Sequence, residues 1–186
     1  MAGMVDSMLD QLTKSGMLEM IAGQVGIDPK QATSLASGAL PAIMAGLAKN
    51  AQKPEGAASL SKALDDHAAD FDDPNYADNV QNMGGDKILG HVFGDKTPAV
   101  EAQVAKSSGV SAEQGAGAMN MLAPMVMGFL GKEKAGGNFD MNSLTGLLGG
   151  KDGLQLPGGL DKTLGLSGGG QKGGLSGMLS KLFGRN

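Results

Sequence analysis

Small and apolar residues fall at positions 32, 35, 36, 39, 40, 43, 44 and 47, and again at 115, 118, 119, 122, 123, 126, 127 and 130. This i, i+3, i+4, i+7 spacing predicts two half-buried helices. Each has a start signal: Asp28-Pro29-Lys30-Gln31 offers an N-cap acceptor, Pro at the first helical position and Gln at the third, and Ser111-Ala112-Glu113-Gln114 offers the same box without Pro. Both starts can satisfy their free backbone donors locally. Pro41 and Pro124 interrupt the stripe without shifting its phase; each removes a donor and crowds the carbonyl four residues back, that of Ser37 or Asn120. Each helix is expected to kink or break there into two short helices sharing one face. Gly38, Ala42, Ala45 and Gly46 would let a neighbouring helix approach closely.

The two stripes belong to a longer likeness, because residues 22–49 recur without gaps at 105–132. Seven pairs are identical: Ala22/Ala105, Gly26/Gly109, Gln31/Gln114, Pro41/Pro124, Met44/Met127, Leu47/Leu130 and Lys49/Lys132. An internal duplication is the reading that follows. Upstream of each cap a further helix is predicted, Met17 to Val25 and Pro98 to Ser108, closed by Gly26 or Gly109 where a left-handed residue is cheapest. Ala22-x-x-x-Gly26-Ile27-Asp28 and Ala105-x-x-x-Gly109-Val110-Ser111 then have helix-turn-helix spacing. Val5, Met8, Leu9 and Leu12 mark one more helix at the start.

Between the copies the chain is acidic. Leu60, Leu64, His67 and Phe71 give a helix from Glu55 to about Ala69, and Asp72-Asp73-Pro74-Asn75 stops it. The apolar run Ile88-Leu89-Gly90-His91-Val92-Phe93-Gly94 follows. Half of the 32 glycines lie after Ala135, where no period is sustained, so a largely flexible tail is expected. Within it Leu175, Met178, Leu179, Leu182 and Phe183 make one apolar face beside Lys181 and Arg185, the mark of a short docking or membrane-surface helix at 175–183. The organisation read from the chain is a first helical unit at 1–53, an acidic helical connector at 54–96, a second unit at 97–134 and a Gly-rich tail at 135–186. The fold class is all-α.

Composition changes this picture in three ways. With one Tyr, five Phe and no Trp, the core must come from Leu, Ile, Val, Ala and thirteen Met, which makes it adaptable. The net charge of -4, without a basic run, argues against a nucleic-acid partner held by phosphate neutralisation. Absence of Cys removes disulfides, thiol catalysis and thiolate metal sites. The uncharged stretches 31–48 and 114–131 approach spanning length, yet Pro, Ala, Gly and Ser favour buried helices, and no transmembrane segment or secretory signal is expected.

Chemistry-bearing clusters are few. Asp65, Asp66, Asp70, Asp72 and Asp73, with His67 among them, admit a cation or paired-carboxylate reading, against the plainer one of a solvated acidic face. His91 reads as a packed or capping residue within its apolar run. Gly84-Gly85 and Gly168-Gly169-Gly170 lack the Lys-Ser/Thr that a phosphate loop needs, and no nucleophile motif occurs. Met119 and Met127 lie on the buried stripe; Met121 and Met125 lie off it, where an exposed set would mark an adaptable groove. As a DNA reader the helix-turn-helix is poorly equipped, since no Lys or Arg falls between Ser111 and Ala123 and only Lys30 in the first copy.

At Gly26-Ile27-Asp28-x-x-Gln31, Leu40-Pro41, Asn50 with Pro54-Glu55-Gly56, and the run from Ile88 to Gly94, the chain resembles the bacterial YidB-like family. Leu122-Ala123-Pro124 and Gly128-Phe129-Leu130-Gly131 extend the likeness, which covers about residues 4 to 132. The resemblance implies a homeodomain-like helical shape for the two units, and it carries no assigned activity or site. Function is therefore expected to be non-enzymatic: an interaction or scaffold protein of the bacterial cytoplasm, binding a protein partner or itself, without metal or cofactor. Two alternatives stand beside it, a nucleic-acid binder supplied with charge by Lys87, Lys96 and Lys106, and a metal-dependent hydrolase around Asp70 and His67.

Overall fold

A computed structural model describes residues 2–70, 75–149, 156 and 159–166, and among these every regular element is helical. In order they are α1 (Ala2–Lys14), α2 (Met17–Val25), α3 (Pro29–Ala51), α4 (Pro54–Asp70), α5 (Tyr76–Asn79), α6 (Gly85–Phe93), α7 (Thr97–Ser108), α8 (Ala112–Ala135), α9 (Met141–Gly149) and α10 (Leu160–Leu164). Short 3-10 turns follow α5 and α6. One contiguous apolar core runs from Met8 to Leu164.

The helix starts form as the sequence dictates. Asp28 Oδ1 accepts the Gln31 N–H at 2.9 Å while Gln31 Oε1 accepts the Asp28 N–H at 3.1 Å. Ser111 and Gln114 make the same reciprocal pair at 3.2 and 3.0 Å. Just before each box the preceding helix ends on a left-handed glycine, Gly26 at φ 70° and Gly109 at φ 68°. The next amide in each case, of Ile27 or Val110, donates back to the carbonyl of Ala22 or Ala105.

All sixteen positions of the two stripes are buried. Two expectations about these helices are nonetheless corrected. First, α3 and α8 each continue through Pro41 and Pro124 as a single helix instead of dividing in two. An interior Pro costs about 3 kcal/mol. Loss of alignment downstream would uncover Ile43, Met44 and Leu47, each worth roughly 1.5–3 kcal/mol when buried, so continuity wins. Second, the helices are not half-buried over their later turns: residues 38–48 and 121–131 are buried on every side.

Other elements supply that cover. Residues 54–96, read as a connector, place Leu60, Leu64, Tyr76, Val80, Leu89, Val92 and Phe93 in the same core. Helix α4 lies across α8, where Gly131 meets the Leu64 carbonyl and stands so near Ala68 that an added methyl would come to 2.9 Å from its Cβ. Helix α6 approaches through Gly85. A methyl there would overlap the Asn120 carbonyl, standing 2.6 Å from its carbon. That carbonyl is the one Pro124 deprives of an amide, so its oxygen is left without the helical donor that would otherwise stand in this neighbourhood. The expected stop at residues 72–75 falls largely outside the described residues; α4 is described as far as Asp70.

Within the tail, expected to be largely flexible, residues 135–149, 156 and 159–166 are described and include two helices, while the rest lies outside the described residues. Helices α9 and α10 pack against α3 and α7, burying Phe139, Leu144, Leu160 and Leu164. Asp140 Oδ1 accepts the Ser143 N–H at 2.6 Å to start α9, and Lys49 Nζ donates to the Leu164 carbonyl at 2.6 Å to close α10. Each helix contributes one or two core side chains, too few to leave a period in the sequence. The segment 175–183 lies outside the described residues.

Substitution of the two α6 glycines separates close approach from intrinsic helix preference. Gly85→Ala should lower the unfolding free energy by roughly 1–3 kcal/mol, whereas exposed Gly90→Ala, whose methyl meets nothing, should raise it by about 1 kcal/mol; urea unfolding of both reads the difference. The hydrogen bond from Ser143 holds the Asp140 carboxyl below the usual aspartate range. A carboxyl depressed in the folded state stabilises above its unfolded pKa and loses that contribution as pH falls through the folded value. Protection of the α9 amides, taken relative to the intrinsic exchange rate at each pH, should therefore fall on acidification before the core opens, and Asp140→Asn should flatten that step.

Candidate functional site: an apolar groove between α3, α4 and α6

Where the last turn of α3 hands over to α4, the helices leave a groove of about 450 Å³. Its floor and walls are Leu47, Leu60, Ala63, Ile88, Val92 and Met127. Helix α4 gives the stripe Gly56, Ser59, Leu60, Ala63 and His67, and α6 gives Ile88, His91 and Val92, both at helical spacing. Two devices hold the walls apart and in register. Gly56 sits against the Asn50 carbonyl, 3.0 Å from its carbon to the place of a Cβ, which sharpens the α3–α4 corner. The Asn50 amide donates to the carbonyls of His91 at 2.8 Å and Val92 at 3.2 Å, tying α6 to the end of α3.

Polar groups are sparse and of one electrical kind. Lys53, Ser59, His67 and His91 line the groove together with Asn50, and among the described residues no carboxylate does. A concave, mostly apolar space with a few convergent polar groups is the ordinary form of a binding site. It holds both histidines of the chain. His91, expected to be packed or capping, is exposed on the rim. Its backbone carbonyl, not its ring, makes the capping contact.

Of the acidic cluster, the side chains of Asp65, Asp66 and His67 are described. Asp65 pairs with Lys134 of α8 at 2.8 Å and Asp66 with Lys62 at 2.9 Å, so the two carboxylates serve different partners. Asp72 and Asp73 lie outside the described residues, as does the side chain of Asp70. Among the described residues no group of three or more His, Asp or Glu is placed to hold a metal ion. Lys134 also donates to Ser61 Oγ at 2.6 Å and to the Ser61 carbonyl at 3.0 Å. An ammonium ion-paired to a carboxylate has no lone pair with which to activate that hydroxyl, so this cluster is a clamp between α4 and α8.

Met121 and Met125 are buried with the rest of α8, 4% and 1% exposed, so they fill the core and form no exposed methionine set. The groove takes a single methionine, Met127. Lys87, Lys96 and Lys106 are exposed on α6, the turn after it and α7. The glutamines at the starts of α3 and α8 are engaged with one another's units: Gln31 Nε2 donates to the Gly109 carbonyl at 3.0 Å, and Gln114 Nε2 donates to the Gly26 carbonyl at 2.9 Å. Amides that would read base edges are thus spent on a reciprocal junction. No helix among the described residues is long and apolar enough to cross a membrane.

A sequence family described as a bacterial protein of unknown function, DUF937, matches residues 6–133. The chain belongs to that family. No curated protein matches it, and no solved structure does. Every residue lining the groove falls within the DUF937 span, as do both halves of the glutamine junction, whereas α9 and α10 lie beyond it.

Sequence reasoning had named Leu60, His67 and the run from Ile88 to Val92 without bringing them together. What joins them is the fold at Asn50 and Gly56, and the two histidines were the available signal. For the junction, Gln31→Ala and Gln114→Ala should each lower stability by about 1 kcal/mol, since each removes one cap bond and one long-range bond at an exposed site. A double-mutant cycle by urea unfolding should show coupling between them, and simple additivity would mean that the two bonds form independently.

Proposed function

We propose that this protein is a non-enzymatic interaction protein whose binding face is the groove between α3, α4 and α6. The observation that carries the reading is an open apolar groove of about 450 Å³ fixed by backbone-level contacts at its corner. Pre-set walls lower the ordering cost of binding, which is what a recognition site requires. Within this proposal α2–α3 and α7–α8 are two descendants of one helix-turn-helix unit of homeodomain-like shape, as in the YidB-like resemblance. The seven identities at a constant offset and the reciprocal bonds of Gln31 and Gln114 support it, because corresponding residues contact one another in the way two-fold partners do. A cytoplasmic setting belongs to the same proposal, and any part played by residues 175–183 in docking lies outside the described residues.

The test fills the groove. Ala63→Trp should leave urea stability within about 1 kcal/mol, because Ala63 is only half-buried and its wall is open. A partner retained from native lysate by the unaltered chain should be lost by this variant. Identical sets of retained partners would remove the groove from the function.

A further inference from the structure

We infer that the groove binds a single-chain amphiphile with an anionic head, of which a fatty-acid carboxylate is the simplest form. The inference rests on the reading of the groove as the binding face and names what enters it. Six apolar side chains make a continuous lining from Met127 at α8 to Ile88 and Leu60 on the facing helices. A flexible acyl chain matches such a surface because it needs no hydrogen-bond partner along its length.

The head group follows from charge. The chain carries 19 acidic and 15 basic residues, yet none of the acidic side chains among the described residues lines this space. Lys53 brings an ammonium, Ser59 a hydroxyl, and His91 an exposed imidazole that donates at least one N–H. The Asn50 amide already serves the carbonyls of His91 and Val92, so Lys53 is the principal charged donor. Of the α4 carboxylates whose side chains are described, Asp66 is paired with Lys62, Asp65 is paired with Lys134, and Glu55 borders the corner at Pro54, all outside the lining stripe. An anion at the mouth therefore meets donors, and a cation would meet Lys53.

Calorimetric titration of the full chain with dodecanoate and with dodecanol, both below the concentrations at which they aggregate, separates tail from head. Dodecanoate should bind about tenfold more tightly than dodecanol, the worth of one partly exposed charge-assisted contact. Lys53→Glu should abolish that preference while leaving dodecanol unchanged, and Ala63→Trp should remove both. Equal affinity of the two amphiphiles, or indifference of dodecanoate to Lys53→Glu, would overturn the anionic head. Absence of uptake of either would overturn the amphiphile altogether, while loss of a lysate partner in Ala63→Trp would still uphold the groove as a binding face.

Discussion

The structure depends on two helices that are buried on all sides over their later turns. A helix in that position must accept neighbours around its whole circumference, and the approach distance is then set by the smallest residues on each side. Gly46 meets Val92 and Phe93, Gly115 meets Ala105, Gly131 meets Leu64 and Ala68, and Gly85 meets Asn120. Each contact brings a neighbour to a distance that even a methyl group would forbid. The prolines fit the same constraint. A helix held from every side keeps its course through Pro41 and Pro124 because departure would undo packing on several faces at once.

The glutamine junction is the second organising contact, and it uses atoms that helices leave over. Gly26 and Gly109 close α2 and α7 in the left-handed conformation, which turns their carbonyls outward. Gln31 and Gln114 already close the caps with their oxygens, and their amide nitrogens reach those carbonyls across the interface. One side chain thus satisfies its own helix start and the neighbouring helix end. The arrangement ties the start of each long helix to the end of the shorter helix that precedes the other.

The groove is a consequence of how that cover ends. Helices α4 and α6 each lie close to the central pair, α3 and α8, and the apolar lining runs between them. The amide of Asn50 prevents collapse by fixing α6 at its last turn, while Gly56 fixes the start of α4. The family match supplies the span and no activity, so the physical character of this space, apolar within and cationic at the rim, is what guides the functional reading.

Caps, glycine stops and the sixteen-position stripe were written in the sequence because they depend on residues within one or two turns of each other. Asp28 and Gln31, or Ala105 and Val110, need no distant partner to declare a helix start or end. What only the tertiary structure decided is everything that requires surfaces remote in the chain. Met121 and Met125 are core because α4 and α6 cover the far side of α8; Leu144 and Leu164 are ordered because α3 and α7 present a face to them; Asp65 is parted from Asp66 because Lys134 lies 69 residues beyond it in sequence yet within an ion-pair distance of 2.8 Å in space. Local hydrogen bonding is short-ranged and leaves a pattern, while burial depends on what the rest of the chain brings, and composition alone carries no record of that.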